Sequence, residues 1–274
     1  MTDRYALFGN PISHSKSPLI HHGFARALGH DVEYGLIEAP PGGFSAAALA
    51  FRDGGGKGGN VTTPFKLEAY ELATERRPGA EQAGSANCLK FEPDGRILAE
   101  MFDGIGLAHD IERNLGVTLR GRRVLVLGAG GAARGCIAPL LACAPARLVI
   151  ANRTTDKALA LARLFTAHGP VDGCGLDDLD DERFDVVING TSAHLMGQTL
   201  QVPAACLRGA TLAYDMTYGK GMTAFLRAAR ATGTARCADG VGMLVEQAAE
   251  AWVWWRGVRP DTRAMIDQLT IALT

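Results

Sequence analysis

The stretch from Arg123 to Lys157 constrains this chain more than any other. The apolar run Val124 to Leu127 reads as a buried parallel strand. It enters a glycine turn, Gly128-x-Gly130-x-x-Ala133, which opens a helix. Strand, glycine turn and helix in that order are the setting of a dinucleotide-binding fingerprint. Gly128 permits the tight turn, and Gly130 lets a pyrophosphate approach the backbone. Ala133 lets helix and strand pack closely. The pyrophosphate is then expected on the free N–H groups of the helix N-terminus.

The next strand says which dinucleotide. An NAD site usually ends its second strand in Asp or Glu, which accepts from the ribose hydroxyls. Here the strand Leu148 to Ala151 is followed by Asn152-Arg153-Thr154, with Lys157 close behind. A carboxylate there would repel a ribose phosphate, whereas a guanidinium pairs with it in fork geometry. The residues therefore favour NADP over NAD. Against this stands a plainer reading, a glycine-rich turn in some other α/β protein with Arg153 merely solvated.

The rest of the composition is that of an ordinary globular chain. Its 274 residues suffice for two modest domains or one large one. They are 47% hydrophobic and 21% charged, with a net charge of −1. No basic patch stands out, so neither nucleic acid nor an anionic membrane is an expected partner. No apolar run is long enough to span a bilayer. The opening Met1-Thr2-Asp3-Arg4-Tyr5 lacks a basic-then-apolar leader pattern, and a cytoplasmic location is expected. Cys88, Cys136, Cys143, Cys174, Cys206 and Cys237 are scattered without C-x-x-C spacing. They read as buried free thiols. The histidines are spread as thinly, and His21-His22 is placed on a surface helix without a ligand partner, so no metal is assigned.

Strand and helix alternate from the start. Strands are expected at Tyr5 to Phe8, Val32 to Ile37 and Gly58 to Thr62. Helices are expected at Pro18 to Leu28, Ala46 to Phe51 and Leu67 to Ala73. Ala86 to Phe91 and Arg96 to Ala99 form a hairpin across Pro93-Asp94-Gly95. A helix from Ile105 to Leu115 then leads into the strand at Arg123, and the alternation continues through Asp185 to Asn189 and Leu212 to Met216. Leu244 to Trp255 carries apolar residues all round and reads as a buried helix.

Further motifs carry polar chemistry: Gly9-Asn10-Pro11-Ile12-Ser13-His14-Ser15-Lys16-Ser17-Pro18, Gly59-Asn60-Val61-Thr62-Thr63-Pro64-Phe65-Lys66, Ala86-Asn87 with Phe102-Asp103-Gly104, and Ala238-Asp239-Gly240-Val241-Gly242-Met243-Leu244-Val245-Glu246-Gln247. With Asp215-Met216-x-Tyr218 and the Asn-Arg-Thr strand end, the chain resembles the shikimate dehydrogenase family over nearly its whole length. The resemblance implies an α/β fold with an N-terminal α/β substrate domain, 1–103, and a Rossmann-type NADP-binding domain, 104–240. C-terminal helices, 241–274, would return to the first domain. It implies reversible reduction of 3-dehydroshikimate to shikimate with NADPH, on the chorismate route to aromatic amino acids. Carried over by motif, Lys66 and Asp103 form the catalytic pair. Ser15 and Ser17 hold the substrate carboxylate, Tyr218 reaches the same region, and Thr62, Asn87 and Gln247 hold ring hydroxyls. Gly128, Ala129, Gly130, Gly131, Ala132, Asn152, Arg153, Thr154, Lys157, Thr191, Met216 and Gly240 bind NADP. The protein is expected as a monomer or homodimer acting on a small molecule.

These roles are chemically coherent. Two hydroxyls on one short loop can donate to both oxygens of a carboxylate. Read without the resemblance, Ser15 and Ser17 would be helix caps. Lys66 stands at a helix start, where a cation is mildly unfavourable, and this favours a functional reason for it. Hydride transfer to a ketone builds negative charge on oxygen, which a lysine can neutralise and protonate. A carboxylate beside the ammonium favours its charged form, so the proton route is assigned to the pair as a unit. Read alone, Lys66 and Asp103 could equally be a structural ion pair.

One departure stands beside the proposed acid. The family's usual Asn-Thr before Asp-Gly is Met101-Phe102 here, and Cys88 replaces the usual Thr after Asn87. Phe102 is expected to crowd the substrate ring or to alter how the ring lies against the nicotinamide, and a shift of about an ångström can cost roughly a hundredfold in rate. A divergent branch with weakened activity on shikimate is one expectation. Alternatives are a dehydrogenase of quinate or a related hydroxylated ring acid, or a non-catalytic protein that binds NADP(H).

Overall fold

The computed structural model describes residues 2–191, 202–219 and 221–273. The chain divides into two compact units. The first is Met1–Asp103 with Val245–Met265, and the second is Gly104–Leu244 with Ile266–Thr274. The tail expected as one returning segment over 241–274 is thus divided between them.

The first unit holds six strands: β1 (Asp3–Gly9), β2 (Val32–Glu38), β3 (Gly56–Val61), β4 (Glu75–Arg76), β5 (Cys88–Phe91) and β6 (Ile97–Glu100). They lie in the order β2-β1-β3-β5-β6-β4. β1 runs parallel to β2 and β3, while β5 is antiparallel to both β3 and β6. The expected hairpin closes where Gly95, at φ +91°, donates its N–H to the Glu92 carbonyl at 3.0 Å. The central strand β3 is glycine-rich for a steric reason: a Cβ on Gly58 would lie 2.4 Å from the Leu89 carbonyl oxygen, and one on Gly59 2.5 Å from that of Ala6. The core against this sheet is aromatic, with Phe44 edge-on to Phe8 and stacked on Phe65.

The helix Ser17–Leu28 has an exposed face, as a surface helix should, but its paired histidines do not lie on it. It buries Ser17, Ile20, His21, Phe24 and Ala25. The His21 ring stacks on Tyr34 at 4.2 Å, and His22 Nε2 accepts the Tyr34 backbone N–H at 3.1 Å. A histidine at the buried face of an amphipathic helix packs as an aromatic ring, which polarity alone does not reveal.

The second unit holds β7 (Arg123–Leu127), β8 (Arg147–Asn152), β9 (Val171–Gly175), β10 (Val186–Asn189), β11 (Leu212–Asp215) and β12 (Cys237–Asp239). Every pairing is parallel, and the order is β12-β11-β10-β7-β8-β9. This is the doubly wound order, with its reversal between β7 and β10. Strands buried on both faces need continuous apolar runs, and Val124, Leu125, Val126, Leu127, Val186, Val187 and Ile188 are all at most 1% exposed. The helix Asp103–His109 continues as a π-helical turn, Asp110–Asn114.

Candidate active site

In the first unit, four of the expected residues meet. Lys66 opens the helix Lys66–Leu72, and Asp103 opens the helix Asp103–His109. The Lys66 ammonium donates to Asp103 Oδ2 in a close contact. Asp103 Oδ1 accepts from Asn87 Nδ2 at 2.7 Å, and the same amide nitrogen donates to Gln247 Oε1 at 3.1 Å. The Asn87 amide cannot turn over, because its Oδ1 accepts the Phe102 backbone N–H at 2.8 Å. Asn87, Asp103 and Gln247 are buried, so each bond is shielded from water. A charged pair steadied by a fixed amide can deliver positive charge and a proton to a developing alkoxide.

Ser15 and Ser17 form a second polar pair. Ser15 Oγ donates to Ser17 Oγ and accepts the Ser17 N–H, both at 3.2 Å. The N-cap of the helix is Lys16, and no side chain caps it. The two hydroxyls therefore face each other, and Ser15 Oγ also accepts the first N–H of the helix. Thr62 directly follows β3, and its N–H donates to the Phe8 carbonyl at 2.9 Å.

Asn60 and Tyr34 join this set without having been singled out. The Tyr34 hydroxyl donates to Asn60 Oδ1 at 2.7 Å, and Asn60 Nδ2 reaches the Asn87 carbonyl at 3.4 Å. Burial pushes the Tyr34 phenol well above its ordinary range, so it remains a donor. Asn60 lies inside a quoted motif, which is the signal that could have found it. Tyr34 carries no local signal.

Phe102, expected to press on the substrate ring, packs edge-on against Trp254 with ring centroids 5.8 Å apart. Met101 is only 2% exposed, and its N–H donates to Glu100 Oε1 at 2.8 Å. The apolar pair therefore fills interior volume, while its backbone orients Asn87 and Glu100. Burial pushes the Cys88 thiol well up.

The second unit carries the expected dinucleotide residues and Tyr218. Gly128 has φ +105°, a conformation that favours glycine. A Cβ placed on Gly130 or Gly131 would meet nothing within 4 Å, so the turn is open toward a ligand. The helix Gly131–Ala142 starts without a side-chain cap or an acidic residue in its first turn. Its N-terminal N–H groups therefore suit an anion. Gly130, Gly131 and Ala132 are exposed, with Ala129 partly so. At the end of β8, Asn152 Nδ2 donates to the Thr154 carbonyl at 3.0 Å, while Arg153, Thr154 and Lys157 are exposed. Thr191 donates its N–H and hydroxyl to Asn189 Oδ1 at 3.1 and 2.8 Å. A Cβ on Gly240 would lie 2.3 Å from the Met216 carbonyl oxygen, which requires glycine there. Tyr218 is partly exposed on the loop after β11, and burial raises its phenol.

An open glycine turn at the strand-order reversal, beside a strand end bearing cations, fits a dinucleotide with a ribose phosphate. The doubly wound unit and the ammonium–carboxylate pair define a dehydrogenase that uses a nicotinamide dinucleotide. Among the described residues, no group of three or more His, Cys, Asp or Glu is placed to hold a metal ion. No helix among them is long and apolar enough to cross a membrane.

Comparison with known proteins narrows this class. Residues 7–89 match the shikimate dehydrogenase substrate binding domain, residues 109–202 the shikimate/quinate 5-dehydrogenase family, and residues 240–270 the shikimate 5′-dehydrogenase C-terminal domain. Shikimate dehydrogenase (NADP(+)) of Nitrosospira multiformis is 54% identical over 273 residues, covering 100% of this chain and 99% of that protein. The crystal structure of an Ael1 enzyme from Pseudomonas putida is 57% identical with a TM-score of 0.94, and covers 100% of both chains. Shikimate 5-dehydrogenase of Thermus thermophilus, solved with NADP(H) and shikimate, is 29% identical with a TM-score of 0.84, covering 97% of this chain and 98% of that one. The chain belongs to the shikimate dehydrogenase family.

Proposed function

We propose that this chain is an NADP-dependent oxidoreductase interconverting 3-dehydroshikimate and shikimate, with Lys66 and Asp103 as its catalytic pair. The observation that carries the proposal is the Lys66–Asp103 contact, held in place by the Asn87 amide. In this reading, NADPH supplies hydride to the ketone carbon when bound at the glycine turn. Charge then develops on the ketone oxygen. Lys66 neutralises it and the dyad delivers the proton, which solvent restores. Asp103 keeps the ammonium in place and shares the new hydroxyl. In the reverse direction the dyad takes up that proton.

Ser15, Ser17 and Tyr218 are assigned to the carboxylate, and Thr62, Asn87 and Gln247 to ring hydroxyls. Gly128 to Ala132 hold the pyrophosphate, and Asn152, Arg153, Thr154 and Lys157 the adenosine ribose phosphate. Thr191, Met216 and Gly240 are assigned to the nicotinamide end. Residues 1–103 are then the substrate domain and 104–240 the NADP domain. The protein works in the cytoplasm as a monomer or homodimer.

The deciding experiment is shikimate-dependent reduction of NADP+ by the purified protein, with NAD+ and quinate run beside it. Brisk turnover with NADP+ and shikimate is expected. Absent turnover with NADPH binding intact would sink the assignment and point to another ring acid. Met101→Asn with Phe102→Thr tests the divergent branch: a rise in shikimate turnover would mark those positions as what limits the rate.

A further inference from the structure

We propose that Asp215 is the positioning residue for the nicotinamide end of the cofactor site, tying the loops after β10, β11 and β12 to one carboxylate. The inference rests on the NADP assignment above. A dinucleotide on a doubly wound sheet straddles the reversal of strand order. The strand end with Arg153 and Lys157 lies on the β8 side. The other half must lie over β10, β11 and β12.

At that edge the register aligns three polar residues on neighbouring strands: Asn189 pairs with Asp215, and Asp215 with Asp239. Asp215 is the middle member and is only 1% exposed. Its Oδ1 accepts from Asn189 Nδ2 at 3.2 Å and from the Thr217 N–H at 3.1 Å. Its Oδ2 accepts from the Thr223 hydroxyl at 2.7 Å. Among the described residues no cation pairs with it.

Each partner lies at or just before a loop assigned to the cofactor. Asn189 Oδ1 holds Thr191 by both N–H and hydroxyl. Thr217 follows Met216, and its carbonyl accepts the Gly240 N–H at 3.0 Å. The Met216 N–H donates to the Asn189 carbonyl at 2.9 Å. One side chain therefore connects Thr191, Met216 and Gly240 through its hydrogen-bond partners. An aspartate suits this place because both its oxygens accept, and it brings no hydrogen to face the converging donors. Removing it strands the buried Asn189 amide and two part-buried donors without this partner.

The test compares Asp215→Ala, Asp215→Asn and the parent enzyme. Asp215→Asn keeps an acceptor for Asn189 and Thr217, and the Thr223 hydroxyl can rotate to accept its amide. Asp215→Ala should lower kcat at least tenfold with the KM for NADP+ within threefold, because nicotinamide alignment is lost while the adenosine end still holds. The inhibition constant of 2′,5′-ADP, which lacks the nicotinamide, should stay within twofold. Asp215→Asn should restore most of kcat. An unchanged kcat, or a 2′,5′-ADP constant that worsens as much as kcat falls, would overturn the proposal. Should Asp215→Ala fail to fold, Thr223→Val against Thr223→Ser reads the same tie from its other end. Valine should lower kcat with 2′,5′-ADP unaffected, serine should not, and equal kcat values would overturn it. A parent enzyme that binds 2′,5′-ADP no better than 5′-ADP refutes the NADP assignment itself, whatever Asp215 does.

Discussion

In the proposed mechanism Lys66 is the residue on which the chemistry turns, and its contact with Asp103 says how its loss should read. Lys66→Ala removes charge and proton from the transition state, so kcat should fall by roughly 10²–10⁴ with the KM for shikimate changed only a few-fold. Steady-state kinetics check this, and a loss confined to KM would make Lys66 a binding residue only. His21 carries a different prediction. Burial lowers its pKa from 6.5 to about 3, against a smaller opposing effect of Asn60. The folded protein therefore keeps it neutral where the unfolded chain protonates it. Its contribution is intact above pH 6.5 and is lost as pH falls toward 3, by about 1.4 kcal/mol per pH unit. His21→Phe, which keeps a ring on Tyr34, should shrink the drop in urea midpoint between pH 7 and pH 5. An equal drop in both proteins would refute the assignment. Lys66, Asp103, Asn87 and Gln247 were legible because each stands in a motif. Tyr34 and the burial of His21 were not, because Tyr34 bonds Asn60 across 26 positions of sequence. The contact of Phe102 with Trp254 was not legible either, because Trp254 comes from the far end of the chain.

At the scale of elements, the proposal makes the end of β8 the selector of the cofactor. Arg153→Ala should raise the KM for NADP+ about ten- to a hundredfold, the worth of a hydrogen bond to a charged group, and leave NAD+ nearly unchanged. Equal effects on both would remove the phosphate assignment. Two helices depend on a glycine. A Cβ on Gly104 would lie 2.4 Å from the Gly135 carbonyl oxygen and 2.8 Å from Cys136 Cα. Backbone cannot step aside as a side chain can, so Gly104→Ala should cost about 1–3 kcal/mol, read as a lower denaturant midpoint. The long apolar strands β7, β8, β10 and β11 were plain in the sequence, as was the β5–β6 hairpin. β9 and β12 were not: Val171–Gly175 carries two glycines and Cys237–Asp239 is three residues long. Neither has the apolar run that marks a buried strand. The π-helical turn at Asp110–Asn114 leaves no mark in an apolar pattern either.

At the scale of the whole molecule, the first unit is closed by chain that arrives late. Trp252 is 1% exposed, and Trp255 stacks on Tyr5 and donates its indole N–H to the Leu89 carbonyl at 3.0 Å. Trp252→Ala should cost about 3–5 kcal/mol of first-unit stability. Hydrogen exchange should show β1, β3 and β5 losing protection while β7 and β10 keep theirs. Uniform loss would mean that the units unfold as one. The same discontinuity matters during synthesis. The second unit is nearly contiguous, Gly104–Leu244, whereas the first lacks Val245–Met265 until about 140 further residues have been added. At about 5–20 residues per second, that is a wait of roughly ten to thirty seconds on the ribosome. The nascent N-terminal sheet must spend it with the Leu89 carbonyl and the Tyr5 ring uncovered. The half of the protein begun first thus waits until nearly the whole chain is made, and its dependence on chaperones should be set by translation speed rather than by its final stability.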